Sequence, residues 1–185
     1  MKLFKKLAAA ALAAVLALSM VGCGNANSVN STKQFILNMM NDMAVMTDIE
    51  FHNTPELDGI AQKLLTEANA AYQDETQTDK TVNALMQVAA DKADEKDVLN
   101  AETRYTIRFA KDYQFKCSLV PEVQKQEKLL DELFRSRNSI KVRGGANDEA
   151  DELDFGVAVG KIGDETYVVV VETETPAASG TTTKG

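Results

Sequence analysis

Four consecutive valines, Val168, Val169, Val170 and Val171, constrain this chain more than any other feature. Successive side chains of a strand point to opposite faces, so an unbroken apolar run must be covered on both sides. β-Branched residues also lose side-chain freedom in a helix and suit a pleated surface. The run therefore predicts a strand inside a sheet with helices on each face. It lies in the second of two β-rich stretches, 155–162 and 166–172, set about a turn that contains Gly163 and Asp164. Together they read as a C-terminal hairpin. Upstream, Ile140 and Val142 alternate with polar residues before Gly144 and Gly145, which predicts a further strand.

The covering helices are legible in the first two-thirds of the chain. Ile36, Met39, Met40, Met43 and Met46 recur at three- and four-residue steps within 32–46 and form one apolar face, with methionine as flexible core filling. Thr54 and Pro55 then supply an N-cap and a proline at the first helical position. They open a helix whose core stripe is Leu57, Ile60, Ala61, Leu64, Leu65 and Ala68. Glu56 and Asp58, in its first turn, read as capping charges at the positive end of the helix dipole. After a polar stretch at 73–80, Val82, Leu85, Met86, Ala89, Ala90 and Ala93 mark a third helix. Pro121 opens another, with Val123, Leu129, Leu130, Leu133 and Phe134 as its stripe. Residues 101–109 fit two periods: Tyr105, Ile107 and Phe109 alternate like a strand, while Tyr105 and Phe109 share a helical face. The expectation for this segment leans to helix. Helices followed by strands give an α+β domain, an α-β-α sandwich whose helices flank a small antiparallel sheet of three or four strands.

The chain opens with Lys2, Lys5 and Lys6, followed by an almost wholly apolar stretch over 7–21, the pattern of an export signal. At 1.5 Å per residue this stretch is shorter than the roughly 20 residues that span a bilayer. It ends Ser19-Met20-Val21-Gly22-Cys23, which resembles the lipobox of bacterial lipoproteins, with Met20 where Leu is usual. That resemblance implies cleavage before Cys23, fatty acylation of its thiol, and attachment to the extracytoplasmic face of a membrane. The expected organisation is a signal peptide at 1–22, a lipidated tether at 23–31, one domain at 32–174 and a disordered Thr-, Ser- and Gly-rich tail at 175–185.

Loss of the three signal lysines from 20 Lys and Arg leaves 17 against 28 Asp and Glu, a formal charge of −11 for the mature chain. Such a charge repels nucleic acid and anionic headgroups, so membrane residence must come from the lipid on Cys23. With Cys23 acylated, Cys117 is the only thiol, no internal disulfide can form, and a buried apolar role suits it better than chemistry.

The order of elements resembles the CAP superfamily, the SCP-like extracellular domain. The resemblance covers residues 33–174 in short pieces. Phe35-Ile36-Leu37-Asn38 leads to Asn53-Thr54-Pro55-Glu56-Leu57-Asp58-Gly59-Ile60-Ala61. Phe134-Arg135-Ser136-Arg137-Asn138-Ser139-Ile140 precedes Phe155-Gly156-Val157-Ala158-Val159-Gly160 and Tyr167-Val168-Val169-Val170-Val171. Family members that keep the central cleft hold a divalent metal with two histidines and two acidic residues. This chain has one histidine, His52, and none near Ser136 and Arg137, so the resemblance implies a degenerate cleft with no metal or other cofactor.

Other constellations are weak. His52 with Asp48 and Glu50 reads as a solvated loop histidine beside carboxylates. Asp148, Glu149, Asp151, Glu152 and Asp154 lack the spacing of a calcium loop and read as a solvated acidic loop between strands. Lys141, Arg143, Gly144 and Gly145 match a phosphate-binding loop only loosely. With no catalytic set visible, the expectation is a non-enzymatic binding or interaction module with a protein or cell-wall ligand. The alternatives are a carboxylate-based glycan or peptidoglycan hydrolase and a structural or assembly lipoprotein. Cys23→Ser should abolish incorporation of a clickable fatty acid in labelled cells; equal incorporation into the variant would refute the lipid anchor.

Overall fold

The computed structural model describes residues 28–47, 49–113, 119–135, 138–146 and 150–174. Helix α1 (Ser28–Thr47) starts four residues before the expected domain boundary, and β1 (Glu50–Asn53) follows it. Helices α2 (Pro55–Gln73) and α3 (Val82–Glu95) come next, then β2 (Tyr105–Lys111). Helix α4 (Leu119–Leu130), which begins two residues ahead of Pro121, continues into a π-helical turn at Asp131–Arg135. Strands β3 (Ser139–Val142), β4 (Glu152–Ile162) and β5 (Glu165–Glu174) complete the described elements.

The five strands form one mixed sheet in the order β1-β4-β5-β2-β3, with β1 parallel to β4 and every other pair antiparallel. The fold is thus α+β as expected, but with five strands rather than three or four, and not purely antiparallel. β1 escaped the sequence because Glu-Phe-His-Asn holds one apolar residue; it places His52 in an edge strand rather than a loop. β2 corrects the helical leaning for 101–109. All six side chains from Tyr105 to Ala110 are buried, which a one-faced helix cannot achieve and a strand between two neighbours can. Thr106 and Arg108 hid the apolar run.

β5 is the middle strand, and its four valines are fully buried. Val168 and Val170 pack with Phe35, Ile36, Met39, Met40 and Met43 of α1 and with Leu129, Leu133 and Phe134. Val169 and Val171 pack with the stripes of α2 and α3, including Leu64 and Met86. The two-sided cover demanded by the valine run is therefore present. Thr54 caps α2 as expected, accepting from the Leu57 N–H at 3.3 Å, and Thr81 does the same for α3.

Helix α2 lies directly on β4. A Cβ at Gly156 would stand 2.0 Å from the Leu57 carbonyl carbon, one at Gly160 would meet Leu65 at 3.2 Å, and one at Gly163 would meet the Tyr72 ring at 2.5 Å. The contacts advance together. Leu57 to Tyr72 spans about 22 Å at 1.5 Å per helical residue, and Gly156 to Gly163 about 23 Å at 3.3 Å per strand residue. Gly163 also supplies the positive φ, 61°, for the two-residue turn that joins the paired Ile162 and Glu165.

Gly59 faces the other way, with nothing within 4 Å of an added Cβ. In denaturant titrations Gly59→Ala should stabilise the protein by about 0.5–1 kcal/mol through helix propensity. Gly156→Ala should cost about 1–3 kcal/mol or more, because backbone must move. Equal effects would refute the α2–β4 seam.

Candidate functional site

The most deeply buried charges lie on the sheet face covered by α1 and α4. Arg108 Nε donates to Glu172 Oε2 at 2.9 Å, and the two side chains are only 4% and 7% exposed. The Phe134 ring, carried on the π-helical turn, sits 5.5 Å from the guanidinium carbon. π-Turns often mark functional sites, but here the charge is matched and capped by an aromatic face, as a structural ion pair requires. Nearby, Thr106 Oγ1 accepts from the Ala146 N–H at 3.1 Å, which holds the turn after β3. Buried Asp112 accepts from Thr32 Oγ1 at 2.8 Å and donates its own N–H to the Thr166 carbonyl, tying α1 and β5 to the end of β2. Glu132 gathers the Lys111 N–H and the Tyr113 hydroxyl, while the Lys128 ammonium lies 4.6 Å from the Tyr113 ring. Burial, and then Glu132, push the Tyr113 pKa up.

Asp58, read from sequence as a capping charge, is a tertiary clamp. It accepts from Lys33 Nζ of α1 at 2.7 Å, from Asn53 Nδ2 of β1 at 3.0 Å and from the Val157 N–H of β4 at 2.7 Å. Burial pushes its pKa up, yet the bonds from Lys33, Val157 and Asn53 together outweigh burial and hold it below its ordinary 3.8.

His52 is exposed on β1, with Nε2 3.7 Å from Glu50, its neighbour on the same face of the strand; Asp48 lies outside the described residues. In the acidic run, Glu152 and Asp154 belong to β4 rather than to a loop, because Leu153 between them is buried in the core. Asp148 and Glu149 lie outside the described residues, as do Cys23, Cys117, Ser136, Arg137 and the expected tail. Among the described residues no three His, Cys, Asp or Glu side chains converge as a metal site would need. Arg143 is committed to Asp94 and to the Thr103 carbonyl, and among the described residues no helix follows Gly145 as a phosphate loop would need.

Among the described residues an open concavity lies between the C-terminal end of α2, the start of α3 and the β4–β5 turn. It encloses about 260 Å³ and is lined by Tyr72, Lys80, Val82, Leu85, Ile162, Asp164, Glu165 and Tyr167. Tyr72 stands in the wall because its ring packs on Gly163. Asn69 Oδ1 accepts from the Gly163 N–H at 3.0 Å and fixes the turn against α2. Lys80 folds back onto the end of α2 and donates to the carbonyls of Ala71, Tyr72 and Asp74 at 3.2, 2.6 and 2.5 Å. Its ammonium lies 5.7 Å from the Tyr72 ring. Glu165 pairs with Lys111 at 2.8 Å and holds the lysine above its ordinary pKa, while burial raises Tyr167. Sequence reasoning missed this site, since its residues come from three separate segments with no shared motif. It marked the Gly163-Asp164 turn, Val82 and Leu85 of the third helix and the strands flanking the turn, but not that they meet.

No protein-family model, curated protein or solved structure matches the chain. The site therefore has to be read from its own chemistry.

Asp58 gives a pH test. A carboxylate whose folded pKa is depressed adds stability that is complete above its ordinary value and is lost as pH falls through the folded one. At neutral pH, Asp58→Ala should cost about 1–3 kcal/mol, because the Val157 N–H loses its partner. The gap from the unsubstituted protein should narrow below pH 3.8; a gap that stays constant to pH 2 would show that Asp58 acts only by packing.

Proposed function

We propose that this protein is a bacterial envelope lipoprotein, held by lipid on Cys23 at the extracytoplasmic face of a membrane, that acts as a non-enzymatic binding module through the Tyr72–Tyr167 pocket. The observation that carries this reading is the pocket's make-up: an open, aromatic-walled concavity with an apolar floor, whose lysine is spent on backbone carbonyls. Such a surface offers contact area and hydrogen-bonding groups rather than a nucleophile and base.

Two further observations support it over its alternatives. A carboxylate hydrolase needs an acid whose pKa is raised, yet every described carboxyl group with a displaced pKa, Asp58, Glu67, Asp74 and Asp79, is displaced downward. Docking on a partner complex calls for a broad apolar patch, yet the large exposed hydrophobics among the described residues are Val45 and Tyr72. None of the described helices is long and apolar enough to cross a membrane. The sheet covered on both faces, the Pro55-initiated helix after a short strand and the terminal hairpin support reading the domain as a degenerate CAP-like module whose cleft lacks a histidine pair.

The full chain, purified in non-ionic detergent, should co-sediment with insoluble cell-wall fragments and release no soluble sugar. Sugar release that Asp164→Asn with Glu165→Gln abolishes would replace the binding module with a carboxylate hydrolase.

A further inference from the structure

We infer that the Tyr72–Tyr167 pocket takes a primary alkylammonium group, with the ammonium between the Tyr167 ring and the carboxylates of Asp164 and Glu165 and the alkyl stem on Val82, Leu85 and Ile162. The inference rests on the binding-module reading and names the ligand class of that same site.

Charge comes first. Lys80 is the one cation in the lining, and its three protons go to three carbonyls at the negative end of α2. It has no proton left to donate to an anion. The mouth keeps Asp164, exposed and without an ion pair among the described residues, and Glu165, whose side chain is 55% exposed despite its bond to Lys111. Lys80 keeps its charge but spends its protons on carbonyls, and Glu165 is paired with Lys111, so the carboxylate of Asp164 is the group at the mouth left to meet a cation; the acidic mature chain raises the local concentration of cations.

The aromatic walls point the same way. A cation over a tyrosine face gains about 0.5–2 kcal/mol, more where water is excluded. The face of Tyr72 already carries such a contact from Lys80, so the chain itself places an alkylammonium against this wall. The second ring, Tyr167, is held half-buried across the floor, and its hydroxyl makes no hydrogen bond among the described residues.

Size and floor complete the case. About 260 Å³ is just under the roughly 300 Å³ at which pockets accept drug-sized ligands, and suits one long side chain. Val82, half-buried, offers apolar surface to a stem such as the four carbons of lysine, with the buried Leu85 and Ile162 beneath it. A free diamine and a peptide lysine share this chemistry.

Tyrosine emission reports on the site directly, since the chain has no Trp and two of its four Tyr line the pocket. The full chain in non-ionic detergent is titrated at matched ionic strength with 1,5-diaminopentane, Nα-acetyl-lysine amide, 1-pentanol and pentanoate. Both ammonium probes should give a saturable change that weakens with added salt, and the alcohol and the carboxylate should give none. A stronger response to the diamine assigns the site to free polyamines, and a stronger response to the lysine amide to peptide lysine. Asp164→Asn with Glu165→Gln, on the exposed rim, should weaken binding about tenfold, and Tyr167→Leu should remove it. Equal binding of 1-pentanol would overturn the ammonium assignment and leave a binding pocket standing. Silence from the ammonium probes, or unchanged affinity in the rim variant, would overturn the assignment even if the chain still sediments with cell wall.

Discussion

The arrangement of the whole domain depends on the backbone contact between α2 and β4. With Gly156 against the Leu57 carbonyl, the helix axis comes closer to the sheet than any side chain would permit. Asp58 then turns this approach into a joint. One carboxylate ties the first turn of α2 to the β4 backbone, to Asn53 at the end of β1 and to Lys33 on α1. Because helix and strand advance at matching lengths, a joint at Gly156 also sets what happens seven strand residues later. There Asn69 and Tyr72 meet the Gly163 turn. The pocket is the far end of a lever fixed by Asp58.

The opposite face uses a different device. The valine run supplies burial but little register, since a strand of identical side chains packs almost as well when slipped by two residues. Arg108 and Glu172 remove that ambiguity. Their bond joins β2 to β5 across a face where an unpaired charge would cost several kcal/mol, so a slipped pairing strands both groups in the core. The Phe134 ring over the guanidinium extends the same logic to α4, and the π-helical turn aligns the ring with the strand. A buried ion pair of this kind adds less to stability than to the choice of one pairing over its neighbours.

What the sequence disclosed follows from how local each signal is. The valine run, the Thr54-Pro55 start of α2 and the Met39, Met40 and Met43 stripe are periodic and contiguous, and the structure places them in the core as read. β2 was misread because its ion-pair partner lies 64 residues away; without Glu172, Arg108 looks like a solvent-facing residue on a helix. β1 was missed because an edge strand of four residues needs little hydrophobicity when β4 supplies its hydrogen bonds. Asp58 was given the correct helix position and the wrong partner, since a first-turn carboxylate suits both a dipole and a tertiary clamp. The pocket was illegible for a plainer reason. Tyr72 lies past the apolar stripe read for α2 and Lys80 ends the polar stretch at 73–80, and only the α2–β4 lever brings them to Tyr167.

The commitments of the charged groups also bear on what this surface can do. Catalysis by side chains needs at least one group held in an unfavourable protonation state, ready to give up or take a proton. In this domain the strongly placed charges are satisfied: Arg108 by Glu172, Asp58 by three donors, Lys80 by three carbonyls. At the pocket, the Asp164 carboxylate and the Tyr167 hydroxyl are left without a hydrogen bond or ion pair among the described residues. On the reading proposed above, recognition rather than catalysis is the chemistry of this surface, and the sign of the rim would decide which ligands it favours.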